Sequence, residues 1–136
     1  MAEKNKEILE EVMNEIDSAL KDAKGIILHQ RRLAFALSLG SVALLENYLD
    51  KEKVLKGGGK INHLWLKKNK SNVKKFISNQ ITCPVEKIPK LDKLLDLIFE
   101  IENKRNNVAY GPPAPEKELN KLIDSFFRLR KEVEND

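Results

Sequence analysis

The stretch from Ile26 to Leu49 is apolar on nearly every side of a helix, and it limits the folds open to this chain more than any other segment. Phe35, Leu39, Val42 and Leu49 share one face, while Ala36, Gly40 and Ala43 form a second face of small side chains. A helix that is apolar all round belongs at the centre of a bundle, and a small-residue face lets a neighbouring helix approach closely. The run of low charge from Leu33 to Leu45 is shorter than the ~20 residues needed to cross a bilayer. The expectation is therefore a protein core helix with no membrane span.

Helical periodicity continues on both sides. Ile8, Val12, Ile16, Ala19, Leu20 and Ala23 recur at steps of three and four, which predicts a helix over 3–24 ended by Gly25. Shorter helices are expected near 62–68, turning Ile61, Leu64 and Trp65 inward, and near 71–81, burying Val73, Phe76 and Ile77. Gly57-Gly58-Gly59 breaks the chain before them. A fourth helix is predicted from Pro89 to Ala109, stopped by Gly111-Pro112-Pro113, and a fifth from Pro115 to Val133. No alternating strand pattern competes. The fold class expected is all-α, an up-and-down bundle of four to five helices, with residues 1–136 as a single domain.

Charge is distributed unevenly. The formal net charge is +4, yet Lys51–Lys75 holds nine lysines against Glu52 alone. Such a segment is either a solvated connector or a surface for a polyanion. Trp65, inside it, is a core anchor or a platform for a base. Cys83 is the only cysteine, so no intrachain disulfide forms. With a charged start and no apolar signal core, the expected location is the cytoplasm. His29 and His63 have no cysteine or carboxylate neighbours at metal-ligand spacing, and no metal or cofactor is expected.

Chemistry concentrates at the end of the fourth helix. Ile98, Ile101, Arg105 and Val108 are spaced three, four and three, so Arg105 continues an apolar stripe. A guanidinium there must pair, reach solvent at the end of the bundle, or face a second subunit. Glu102 is a possible partner one turn back. Arg105, Asn106 and Tyr110 would gather a cation, an amide and a phenol near one helix terminus, and an arginine there can hold a phosphate by two parallel hydrogen bonds.

The run Arg105-Asn106-x-x-Ala109-Tyr110-Gly111, late in a helix of a small bundle, resembles the Arg-x4-6-His signature of the HEPN superfamily, often written R-N-x-x-A-H-G. The small-residue helix at Arg32–Tyr48, the order of the helices and the final helix after the turn are similar as well. The resemblance implies a metal-independent RNase, a toxin paired with a minimal nucleotidyltransferase antitoxin, or an inactive RNA-binding relative, commonly a homodimer with two motifs in one basic cleft. By the same resemblance Arg105 is the phosphate ligand, Asn106 an orienting residue, and Tyr110 stands where the family has its proton-transferring histidine. A phenol, which ionises near pH 10, is a poorer base at neutral pH than an imidazole, which titrates near 6.5. The tyrosine that the partner nucleotidyltransferase modifies in related toxins is replaced here by Pro112.

The expectation is then a HEPN-like domain that binds RNA or a nucleotide-containing ligand, with RNase activity weak or absent. Arg105 and Tyr110 are the candidate catalytic pair. Glu102, Asn106, Lys67 and Lys68 are the candidate ligand-binding residues. A homodimer through the second and fourth helices is expected. The alternative is an interaction module docking on a partner such as a nucleotidyltransferase, and a third option is a sensor of a small anionic ligand in the same cleft.

Overall fold

A computed structural model describes residues 2–134. Its α-helices are α1 (Ala2–Lys21), α2 (Gln30–Lys51), α3 (Lys70–Ser78), α4 (Leu91–Tyr110) and α5 (Glu116–Glu134). Short 3-10 turns lie at Ile26–His29, His63–Lys67 and Val85–Lys87. No strand occurs among the described residues, only an isolated antiparallel bridge between Leu55 and Ile81. The all-α helical bundle expected from the periodicity is the fold observed, and no described helix is long and apolar enough to cross a membrane.

α2 is the axis of the bundle and packs against α1, α4 and α5. Leu33, Leu37, Leu44, Leu45, Tyr48 and Leu49 are buried on it, opposite Leu94, Leu95, Ile98 and Ile101 of α4 and Leu122, Phe126 and Leu129 of α5. The small face works as expected at Gly40. A Cβ there would sit 2.7 Å from Cε1 of Phe126 and 3.3 Å from Cγ1 of Val12, so only glycine admits both neighbours.

The burial of α2 is less complete than its composition implies. Phe35 and Leu39 are 41% and 50% exposed. Leu20 and Ala23 of the first apolar series and Leu64 of the connector also face out, so the stripe of α1 ends at Ala19.

Helix boundaries shift for local reasons. α1 stops at Lys21 rather than Lys24 because Asp22 takes over the turn, its carboxylate accepting from Lys24 N at 2.9 Å. α3 begins after Asn69, whose side chain accepts from Asn72 N, and it stops at Ser78 rather than 81. Beyond Ser78 the chain turns at Asn79-Gln80, and Lys56 N donates to Gln80 O while Thr82 N donates to Val54 O. These bonds join the two ends of the lysine-rich segment that holds α3. α4 starts at Leu91, two residues after Pro89.

Candidate functional site

α4 ends in a turn held from the far side of the bundle. Gln30, the first residue of α2, donates through Nε2 to Val108 O at 2.7 Å and to Pro112 O at 3.3 Å, and its Oε1 accepts from Ala114 N at 2.8 Å. One buried amide thereby satisfies a carbonyl in the last turn of α4 and orients the connection to α5. Gly111 is required there, since a Cβ would run into the carbonyl oxygen of Asn107.

Arg105 is buried, at 8% exposure. Its guanidinium lies over the ring of Phe35, 5.1 Å from the centroid. Nη1 is 3.9 Å from Oε2 of Glu102 and 3.5 Å from Oδ1 of Asn106. Glu102, 7% exposed, is held more tightly from α2, where Ser38 Oγ donates to its Oε1 at 2.5 Å. Arg105 Nε is buried without a hydrogen-bond partner. The guanidinium thus pairs loosely, and its surroundings are an aromatic face on one side and a carboxylate and an amide on the other.

The two candidate catalytic side chains share Phe35. Tyr110 meets that ring edge-on, with centroids 6.1 Å apart, but it is 71% exposed while Arg105 is buried. Arg105 and Tyr110 thus meet the same ring, one buried and the other exposed. Asn106 and Glu102 also line a groove.

That space is an open groove of about 450 Å³ between the connector and α4. Leu66, Lys67, Lys68, Asn69 and Lys70 form one wall, and Phe99, Glu102, Asn103 and Asn106 form the other. All four candidate ligand-binding residues, Lys67, Lys68, Glu102 and Asn106, line it. Lys70 is bonded to Asp96 at 2.9 Å, which raises its pKa, and Lys74 pairs with Asp92. Lys67 and Lys68 have no carboxylate partner among the described residues, although Lys68 Nζ lies 5.9 Å from the centroid of Phe76. Two lysines without a carboxylate partner therefore line the same groove as two amides. Trp65 is stacked on Phe76 at 5.3 Å and half-buried, so its ring is engaged within the protein.

Among the described residues no group of three or more histidine, cysteine or carboxylate side chains could hold a metal ion. His29 sits between carboxylates. Its ring nitrogens lie 3.1 Å from Glu15 Oε1 and 2.9 Å from Asp22 Oδ2, and the Asp22 and Glu15 bonds raise its pKa. Arg32 Nη2 is 3.3 Å from its Nδ1.

Sequence reasoning missed Gln30, Ser38, Phe35 as the support of Arg105, and Asn103. Ser38 carried a signal, a hydroxyl in a largely apolar helix, and Asn103 carried one too, one turn before Asn106. Comparisons with protein-family models, with curated proteins and with solved structures found no match.

Proposed function

We propose that this protein is a HEPN-like helical module that binds RNA or a nucleotide-containing ligand in the groove between Lys67–Lys70 and α4, and that it cleaves RNA weakly or not at all. The observation that carries the reading is the convergence of Lys67 and Lys68 on the amides of Asn103 and Asn106 in one open groove. Unpaired lysines supply the charge that phosphate needs, and amides supply the paired donor and acceptor that a base edge needs. Weak cleavage follows from the phenol of Tyr110 in place of an imidazole, and from the burial of Arg105. An NMR titration with a short single-stranded RNA tests the reading. Shifts should concentrate at 66–70 and 99–106, with the RNA left intact. Shifts confined to 27–39 would contradict it.

A second surface supports the docking part of the expectation. Ile27, Leu28, Phe35, Leu39 and Tyr110 are each at least two-fifths exposed, and Phe35 and Tyr110 are in contact. Apolar patches of this kind mark protein contacts. A second copy of the chain is the occupant we propose, giving a homodimer over α2, and a minimal nucleotidyltransferase is the rival. Light scattering at tens of micromolar tests the first: a dimer supports it and a monomer contradicts it.

A further inference from the structure

We propose that the proton on His29 decides the partner of Arg32: the protonated ring binds Glu15 and Asp22 and turns the guanidinium away, and the neutral ring captures it. His29 is buried in the turn at Ile26–His29 that joins α1 to α2, and three charged groups face it. Glu15 comes from α1, Asp22 from the chain just after α1, and Arg32 from the first turn of α2. α5 packs against the same turn, and none of the leading contributions to the titration of His29 comes from it. Two of the three groups meet at one atom. Nδ1 is 3.1 Å from Glu15 Oε1 and 3.3 Å from Arg32 Nη2. A ring nitrogen either carries a hydrogen and donates or carries a lone pair and accepts. A carboxylate only accepts and a guanidinium only donates, so Nδ1 serves one of them at a time. Nε2 faces the carboxylate of Asp22 at 2.9 Å and donates there in both charge states. The proton that leaves the ring is therefore the one on Nδ1.

In the protonated ring both hydrogens go to carboxylates. Nδ1 then has nothing to offer Arg32, and like charge repels the guanidinium. Arg32 keeps only the contact of its Nε with Glu15 Oε1 at 3.5 Å, on a side chain that is 66% exposed. In the neutral ring the lone pair of Nδ1 points at Glu15 Oε1, two acceptors with no hydrogen between them. Arg32 removes that conflict. Its Nη2–H fills Nδ1 while its Nε–H stays on Oε1, a two-pronged contact that the planar fork of arginine allows and the ammonium of lysine does not. Arg32 also lies in the wall of an open groove of about 460 Å³, with Ile27, Leu28, Arg31 and Pro113. Acidification releases the outer nitrogens of Arg32 to that groove, beside exposed Arg31, and a rise in pH withdraws them. The bonds to Asp22 and Glu15 raise the pKa of His29 above 6.5, so the exchange comes as pH rises past that value.

The test is nitrogen NMR of the full chain, followed from about pH 5 upward. One spectrum reads the two ring nitrogens of His29. A second reads hydrogen exchange at the side chain of Arg32, with exposed Arg31 as the internal reference. The neutral ring should carry its hydrogen on Nε2, and exchange at Arg32 should slow relative to Arg31 with the same midpoint as the ring. His29→Gln should remove that midpoint from Arg32. Arg32→Leu should raise the pKa of His29, because it removes both the like charge and the donor that favours the neutral ring. Arg32→Lys keeps the charge without the fork and should raise it less. Because Arg32 is exposed, both variants keep the fold. A neutral ring protonated on Nδ1 would overturn the switch. So would an Arg32 whose protection ignores the titration of His29, or an Arg32→Leu variant in which His29 titrates as in the wild type.

Discussion

The guanidinium of Arg105 and the ring of Phe35 lie 5.1 Å apart across the α2–α4 contact, so the one cation in the apolar stripe of α4 is held on an aromatic face. Its carboxylate partner, Glu102, is buried with it and depends on Ser38 for its strongest bond. Arg105→Ala leaves that carboxylate buried without a cation. Breaking a buried pair from one side costs about 3–5 kcal/mol. The 3.9 Å separation puts this pair at the lower end. Arg105→Met combined with Glu102→Leu should recover most of the loss, because no uncompensated charge remains. Urea denaturation of the single and double variants checks this, and a double variant no better than Arg105→Ala would contradict it.

Gln30→Ala should loosen the connection between α4 and α5. It removes partners from Val108 O, Pro112 O and Ala114 N, and a buried unsatisfied backbone group costs roughly 1–3 kcal/mol. Hydrogen exchange at the Ala114 amide should accelerate more than at α3, which Gln30 does not touch.

Gly40→Ala tests the closeness of α2 to α5. The added methyl would lie 2.7 Å from Cε1 and 2.9 Å from Cζ of Phe126. Overpacking of this kind costs typically ~1–3 kcal/mol. Phe126→Leu should destabilise less in the Gly40→Ala background than in the wild type, a coupling that a double-mutant cycle measures.

His29 predicts the pH dependence. Hydrogen bonds to Asp22 and Glu15 raise its pKa above 6.5, against the opposing effects of burial and Arg32. The protonated ring is therefore favoured in the folded state. Its contribution to stability is fully present below pH 6.5 and is lost as pH rises through the folded value. Unfolding free energies measured from pH 6 upward should fall across that window, and His29→Gln should flatten the fall.

Much of this fold was legible in the sequence, because spacing of three and four fixes which residues face inward whatever the partners. Val12, Ile16, Leu94, Ile98, Leu122 and Phe126 are buried as their periodicity required. The exposed side of α2 was not legible. Phe35 and Leu39 are as apolar as Leu33 and Leu37, and composition cannot say which face of an all-apolar helix is left uncovered. At the site, Glu102 as the partner of Arg105 followed from a spacing of three, a local relationship. Ser38 and Gln30 act across 64 and 78 positions of the chain, which no local pattern encodes. Tyr110 was expected beside Arg105 on the strength of the motif. Both side chains meet Phe35, but Tyr110 is 71% exposed while Arg105 is buried, a difference that the motif does not encode.

The most direct test of the groove is the salt dependence of RNA affinity, measured by fluorescence anisotropy for the wild type and for Lys67→Ala with Lys68→Ala. Each phosphate contact to a single strand contributes about 0.7 to the slope of log affinity against log salt. Removing both lysines should lower affinity and reduce that slope by roughly 1.4, with the RNA recovered uncut from both samples. An unchanged slope and affinity, or rapid cleavage by the wild type, would contradict the account.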